Sequence, residues 1–339
     1  MQIKEDYKIW ATAKSFYKNK LNVDIDWFFD LPIFHYTDID NISKCDSKII
    51  TIDCFTEGIH SMNNFRKYPQ DKHYVIYSGG NWDKTKYDIG ITSYDILYYP
   101  FFIFELVDNY FSPHRMCFYL DKHYNFVYPK QYNFVSTTGN VRPERDKIIQ
   151  QVVKNMNYDN FIYRYSGQDF GQPSKQYDIV NFEPGDFDPY TPIIQEYYHN
   201  VSQTLPIDMY NQCYFNLCVE TDCDWDKNEF FITEKTVKCL ISGIPFVSVN
   251  HPHFLMGLHD HGFRTYNTVW DESYDDELDY EKRLDKILQL VNHLGTIDWN
   301  SIKSKLEDIA SHNIKNLTTL DVISDKFFIN LESVAKKLK

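Results

Sequence analysis

Short apolar, β-branched runs closed by glycine alternate with helically spaced apolar stripes along this chain, and that alternation predicts a mixed α/β protein. Ile49, Ile50, Ile52, Cys54 and Phe55 form one run, closed by Glu57 and Gly58; Tyr74, Val75, Ile76 and Tyr77 form another, closed by Gly79 and Gly80. Each reads as a buried strand. The stretch over 59–68 has the length of a crossover helix, which makes the two strands a parallel βαβ unit. A second cycle opens with a strand over 132–136, turns through Thr137, Thr138, Gly139 and Asn140, and continues as a helix over 143–156. Pro143 suits the first helical position there, and Ile148, Ile149, Val152 and Val153 mark its buried stripe. Strands over 160–165, 214–219 and 244–249 follow, the last two separated by a helix over 234–242. Beyond 279, Leu284, Ile287, Leu288 and Val291, then Ile302, Leu306 and Ile309, predict further helices. The first 50 residues carry no clean period and read as short helices and loops.

Strand alternating with helix predicts doubly wound sheets. The polar, aromatic stretch over 121–130, with Pro129, divides the cycles into an α/β domain over 1–130 and a Rossmann-like domain over 131–312. Residues 313–339 form a helical tail. A length of 339 residues suits two such domains.

Composition narrows the class. Hydrophobic residues make up 43% and aromatics 17%, which excludes a disordered chain. The net charge of −13 repels nucleic acid and anionic membranes, so a charge-driven nucleic-acid binder is disfavoured. No apolar run reaches the length of a membrane span and the first residues lack a signal-like apolar core, so the expectation is a cytoplasmic protein. Cys45, Cys54, Cys117, Cys213, Cys218, Cys223 and Cys239 are odd in number and contain no CxxC pair, which points to reduced thiols.

Candidate chemistry concentrates at two helix starts. Thr233 is an N-cap, Val237, Leu240 and Ile241 line one face behind it, and Gly243 and Pro245 stop the helix. Glu234 and Lys235 therefore fall in the first turn, where free backbone N–H groups and the helix dipole favour an anion. At the earlier start, Arg142 and Arg145 share one side of a turn, a spacing suited to clamping phosphate oxygens. Neither the glycine fingerprint of dinucleotide-binding domains nor a P-loop is present.

The run from Tyr214 to Glu220, then Phe231, Ile232, Thr233, Glu234 and Lys235, then Gly243, Ile244, Pro245 and Phe246, resembles the donor-binding signature of the α1,3-fucosyltransferase family. Tyr77, Ser78, Gly79, Gly80 and Asn81, with Tyr87, Asp88, Ile89, Gly90 and Ile91, resemble an amino-domain run of its bacterial members. Arg145 matches the arginine that opens the first helix of their nucleotide domain. The similarity covers 73–100 and 132–250 in patches. It implies a GT-B-like fold, two Rossmann-like doubly wound domains facing a cleft, with C-terminal helices. It also implies a glycosyltransferase that needs no metal or other cofactor and takes a nucleoside-diphosphate sugar, GDP-linked by preference, as donor. By position Glu234 would meet the donor ribose, Lys235 and Arg145 would neutralise the diphosphate, and Glu220 would support the sugar end. Fixed cations beside a departing diphosphate can do the work of a divalent ion.

An inverting transfer needs a base for the acceptor's proton, and the family's glutamate position is Gly80 here. Glu57, at the neighbouring strand end, ranks first as its replacement, followed by Asp83 and Asp88. Glu57 also reads as a loop carboxylate capping the following helix, the reading its position favours slightly. Asp222, Cys223 and Asp224 fit a DxD metal motif, as do other acidic triplets in this acid-rich chain, and they read as a loop. His251, His253, His259 and His261 match no zinc spacing, and the acidic turn at 270–276 reads as solvated. The acceptor is a hydroxyl on a glycan, a protein or a modified DNA base. Two alternatives stand beside the transferase: a non-catalytic nucleotide-sugar or glycan binder, which Gly80 supports, and a Rossmann-type oxidoreductase, which the missing fingerprint disfavours.

Overall fold

The computed structural model describes residues 26–54, 65–82, 88–100, 103, 123–138, 145, 147–148, 151, 160–165, 205–220, 229–319 and 321–339. It is a mixed α/β structure with two four-stranded, wholly parallel sheets. The chain divides into two compact units. The first gathers Met1–Pro113, Asn228–Ile232 and Leu320–Lys339, and the second gathers His114–Lys227 and Thr233–Thr319. The sequence reading divides the chain at 130 and 312 instead, and treats everything after 312 as one tail.

In the first unit the strands β1 (Ile33–His35), β2 (Ile49–Cys54), β3 (His73–Ser78) and β5 (Tyr94–Tyr98) pair in the order β1-β2-β3-β5. β4 (Gly80–Trp82) leaves β3 after a single residue and pairs antiparallel with β9 (Glu229–Phe231). The register Ile49↔His73 to Cys54↔Ser78 places the two apolar runs side by side, as the sequence pattern predicts. Both are buried through most of their length, which is why they read as continuous apolar runs and not as alternating ones. Most of the expected crossover helix over 59–68 lies outside the described residues. β1, β4, β5 and β9 are absent from the sequence reading. Three of them have only three residues, and β5 interrupts its apolar positions with Asp95.

In the second unit β6 (Tyr132–Thr138), β7 (Phe161–Tyr165), β8 (Cys213–Val219) and β10 (Phe246–Val249) pair in the order β10-β8-β6-β7. The β10 strand begins two residues later than expected; Pro245, which has no N–H, still accepts from Asn216 N at 2.8 Å. Phe134 stacks on Phe161 at 4.9 Å and tilts against Phe215 at 5.5 Å, filling the centre of the sheet. Among the helices of this unit are α1 (Glu234–Ser242), between β9 and β10, and α2 (Phe254–Asp260), α3 (Tyr280–Leu294) and α4 (Trp299–Thr319) after β10. Of the helix expected over 143–156, residues 145, 147, 148 and 151 are described, and all four are helical.

α4 ends the second unit, and α5 (Asp321–Leu338) returns to the first. There Phe327 meets Tyr99 edge-on at 5.3 Å, and Asn330 Oδ1 accepts from Tyr98 N at 3.1 Å. Lys337 Nζ reaches the buried Asp95 carboxylate at 2.7 and 2.8 Å. The expected tail is thus two helices with different hosts, because the apolar stripe of each has its own sheet or helix to cover. No helix among the described residues is long and apolar enough to cross a membrane.

Candidate functional site

α1 starts and stops where its sequence says it should. Thr233 adopts extended backbone and its Oγ1 accepts from Lys235 N at 3.3 Å, which satisfies one of the orphan N–H groups of the first turn. At the other end Gly243 takes φ 77° and its N–H donates to Cys239 O at 2.9 Å. A side chain there would be strained, and its Cβ would lie 3.0 Å from that of Ala310 on α4.

Beneath the helix start lies Glu220, the residue after β8, with 1% of its surface exposed. Oε2 accepts from Thr233 Oγ1 at 2.5 Å. Oε1 accepts from Thr236 Oγ1 at 2.6 Å and from Thr236 N at 3.3 Å. One buried carboxylate thus ties the end of β8 to the first turn of α1, and both its oxygens are engaged. Burying a charge is tolerated when its hydrogen bonds are met in this way, and the dipole of α1 adds to them.

Lys235 and Glu234 sit in that first turn with their charges paired, Nζ to Oε1 at 2.7 Å, and both side chains are largely covered. Burial opposes ionisation of Glu234, yet the ammonium groups of Lys235 and Lys238 hold its carboxyl below the ordinary value. Lys238, one turn along and buried, is pushed down to about 8 by desolvation, with Glu234 working against the fall. Arg145, 3% exposed, donates from Nε to the backbone oxygen of Glu220 at 3.3 Å. Three cations and two carboxylates therefore meet at the carboxyl end of β8, the end at which open α/β sheets receive ligands.

Of the residues singled out from sequence, Arg145, Glu220, Thr233, Glu234 and Lys235 are brought together here. Glu57, Asp83 and Arg142 lie outside the described residues, as do Asp222, Cys223 and Asp224. Asp88 is described and stands at the surface, accepting from Gly90 N at 2.8 Å and facing Arg66 at 3.5 Å. Gly80 takes a place in the β4–β9 ribbon opposite Phe231. Thr236 and Lys238 are the additions. Their signal is helical spacing, Thr236 three residues after the N-cap and Lys238 four after Glu234.

The histidines do not converge. His251 Nδ1 lies 2.9 Å from Pro252 O, His253 caps α2 in left-handed backbone at φ 64°, His259 Nε2 meets Thr265 Oγ1 at 2.9 Å, and His261 Nδ1 lies 2.7 Å from Gly257 O. Among the described residues no group of His, Cys, Asp and Glu is arranged to hold a metal ion. In the acidic turn, Asp275 accepts from the N–H groups of Leu255 and Met256 at the start of α2, and Glu272 accepts from Thr265 Oγ1 at 2.5 Å and Tyr266 N at 2.8 Å. Burial pushes Glu272 up to about 7 and Asp275 to about 6, against the hydrogen bonds that each accepts. The turn expected to be solvated is in large part a buried brace.

No family model matches the chain, and no curated protein matches it. The class defined by the fold is therefore stated from the structure alone, as a mixed α/β protein of two units, each built on a parallel sheet.

Proposed function

We propose that this protein is a glycosyltransferase of GT-B type that takes a nucleoside-diphosphate sugar as donor and passes the sugar to a hydroxyl acceptor. The observation that carries the reading is the charged first turn of α1, where Lys235 and Glu234 lie over a helix start fixed by Glu220, with Arg145 held against the same residue. A diphosphate suits that spot because the helix dipole and the cations Lys235, Lys238 and Arg145 favour an anion. On binding it competes with Glu234 for Lys235. Glu234, ionised and released, then accepts from the ribose hydroxyls.

In the transfer step the acceptor hydroxyl gives its proton to a carboxylate base, Glu57 or Asp83. Its oxygen attacks the anomeric carbon, and the bond from that carbon to the diphosphate oxygen breaks with its electron pair on the diphosphate. Charge grows on the leaving group as that bond breaks, so fixed cations stabilise the transition state more than the ground state. Gly80 favours a second reading, a nucleotide-sugar binder without transfer, and an assay for release of free nucleoside diphosphate separates the two.

The test is a thermal-shift panel of GDP, UDP, CMP, dTDP and their sugar conjugates, with and without EDTA. A ligand that binds only the folded state raises the melting temperature by mass action. The reading expects a shift with one nucleoside diphosphate that survives EDTA. Cooperative melting with no shift from any of them overturns it.

A further inference from the structure

Beside Glu220 lies a second residue at the same level of the sheet. The ladder pairs Ser248 with Cys218 and Val249 with Val219, and Glu220 N donates to Val249 O at 3.0 Å, so Asn250 follows β10 opposite Glu220. Residues opposed across a parallel pair project from the same face. On β8 that face is the one α1 covers: Asn216 Nδ2 lies 3.2 Å from Cys239 Sγ, Cys218 Sγ lies 3.6 Å from Thr236 Oγ1, and Glu220 bonds Thr236. Ser248 shares this face, and Asn250 follows it with the same parity.

Asn250 is 5% exposed and Ser248 2%. Asn250 Oδ1 accepts from His251 N at 2.8 Å, while its Nδ2, and Ser248 Oγ two residues before it, have no hydrogen-bond partner among the described residues. A buried donor without a partner has lost its water and gained nothing in return, and folded proteins keep few of them. Here two lie two residues apart, one in β10 and one just past its end, beside a helix start that carries cations. The uncharged amide stands opposite Glu220 on the ladder, and its free N–H suits a neutral oxygen acceptor. We propose that Asn250 is a specificity residue for the hydroxyl groups of the nucleotide sugar: its Nδ2 donates to a sugar hydroxyl oxygen, while the first turn of α1 takes the diphosphate. This inference rests on the nucleotide-sugar reading above.

Isothermal titration tests it with the nucleoside diphosphate selected by the thermal-shift panel, its 2′-deoxy form and its hexose conjugate, on the full chain. The variants are Asn250→Ala and Asn250→Leu; the second keeps the approximate volume and adds no charge while removing the amide donor, so it reports even if the first folds poorly. Both are expected to bind the hexose conjugate about tenfold more weakly, with the bare diphosphate within twofold of wild type. A loss shared by bare diphosphate and conjugate, and already present in wild type with the 2′-deoxy ligand, supports the same hydroxyl chemistry with the ribose as its source. Variants that melt lower yet bind every ligand as wild type does overturn the proposal and make the amide structural. If wild type binds no nucleoside diphosphate, the functional reading fails and this inference falls with it.

Discussion

Asp95 in the first unit and Glu220 in the second are both buried carboxylates, and they are held in opposite ways. Asp95 faces a cation and an imidazole: Lys337 Nζ stands 2.7 Å away and His73 Nε2 3.1 Å. Glu220 is held by two threonine hydroxyls and a backbone N–H, all of them neutral. The difference separates a fastening from a candidate site. At Asp95 the charge is met locally, and the result is a latch that joins the end of α5 to β5. At Glu220 neutral donors meet both oxygens, while Lys235 pairs with Glu234 and Arg145 donates to the Glu220 backbone oxygen. Glu272 and Asp275 are a third case, held by neutral donors, and burial raises the carboxyl of each above its ordinary value.

Glu220→Ala breaks the comparison most severely. It strips three hydrogen bonds from the start of α1 and leaves Thr233 and Thr236 without their acceptor, an expected loss of about 4 kcal/mol. Hydrogen exchange of the second unit should register it first in the amides of α1, with those of β5 in the first unit unmoved. If β5 loses protection equally, the two carboxylates do not serve separate units.

Next in size is the pH dependence at Glu272. Its carboxyl moves from 4.5 to about 7 on folding, so between those values the folded state keeps a proton that the unfolded chain has released. Stability from this group is therefore fully present below pH 4.5 and is lost as the pH rises to 7, by about 3 kcal/mol. Melts from pH 5 to 8 should show the decline, and Glu272→Gln, which cannot ionise, should flatten it. An unchanged slope in that variant would remove Glu272 as its source.

Lys337→Ala is the mildest change. The lysine is 56% exposed, so its pairing with Asp95 is screened and worth about 1 kcal/mol or less. The expected outcome is a small drop in melting temperature that added salt erases, with ligand response intact. A drop that persists in high salt would mean that the lysine stem, not its charge, holds α5.

These contrasts also mark what could be read in advance. The runs that became β2, β3, β6 and β8 are legible because strands buried on both faces need unbroken apolar sequence. α1 is legible because Thr233, Gly243 and Pro245 punctuate it locally. β5 is not, since its Asp95 meets Lys337, a residue 242 positions away, only once the chain has folded. Within the site, Lys235 and Arg145 stand out as cations at helix starts, whereas the engagement of Glu220 with Thr233 and Thr236 depends on how β8 meets α1. Asn250 carries no sequence signal. It emerges only when the ladder sets it beside Glu220 and burial leaves its amide nitrogen without a partner.

The central claim is that the first turn of α1 binds a diphosphate through Lys235, and titrating wild type and Lys235→Ala with the selected nucleoside diphosphate in EDTA tests it most directly. The account predicts binding by wild type and at least a tenfold weaker constant in the variant, about 1.4 kcal/mol. Equal affinity in the two proteins would contradict it.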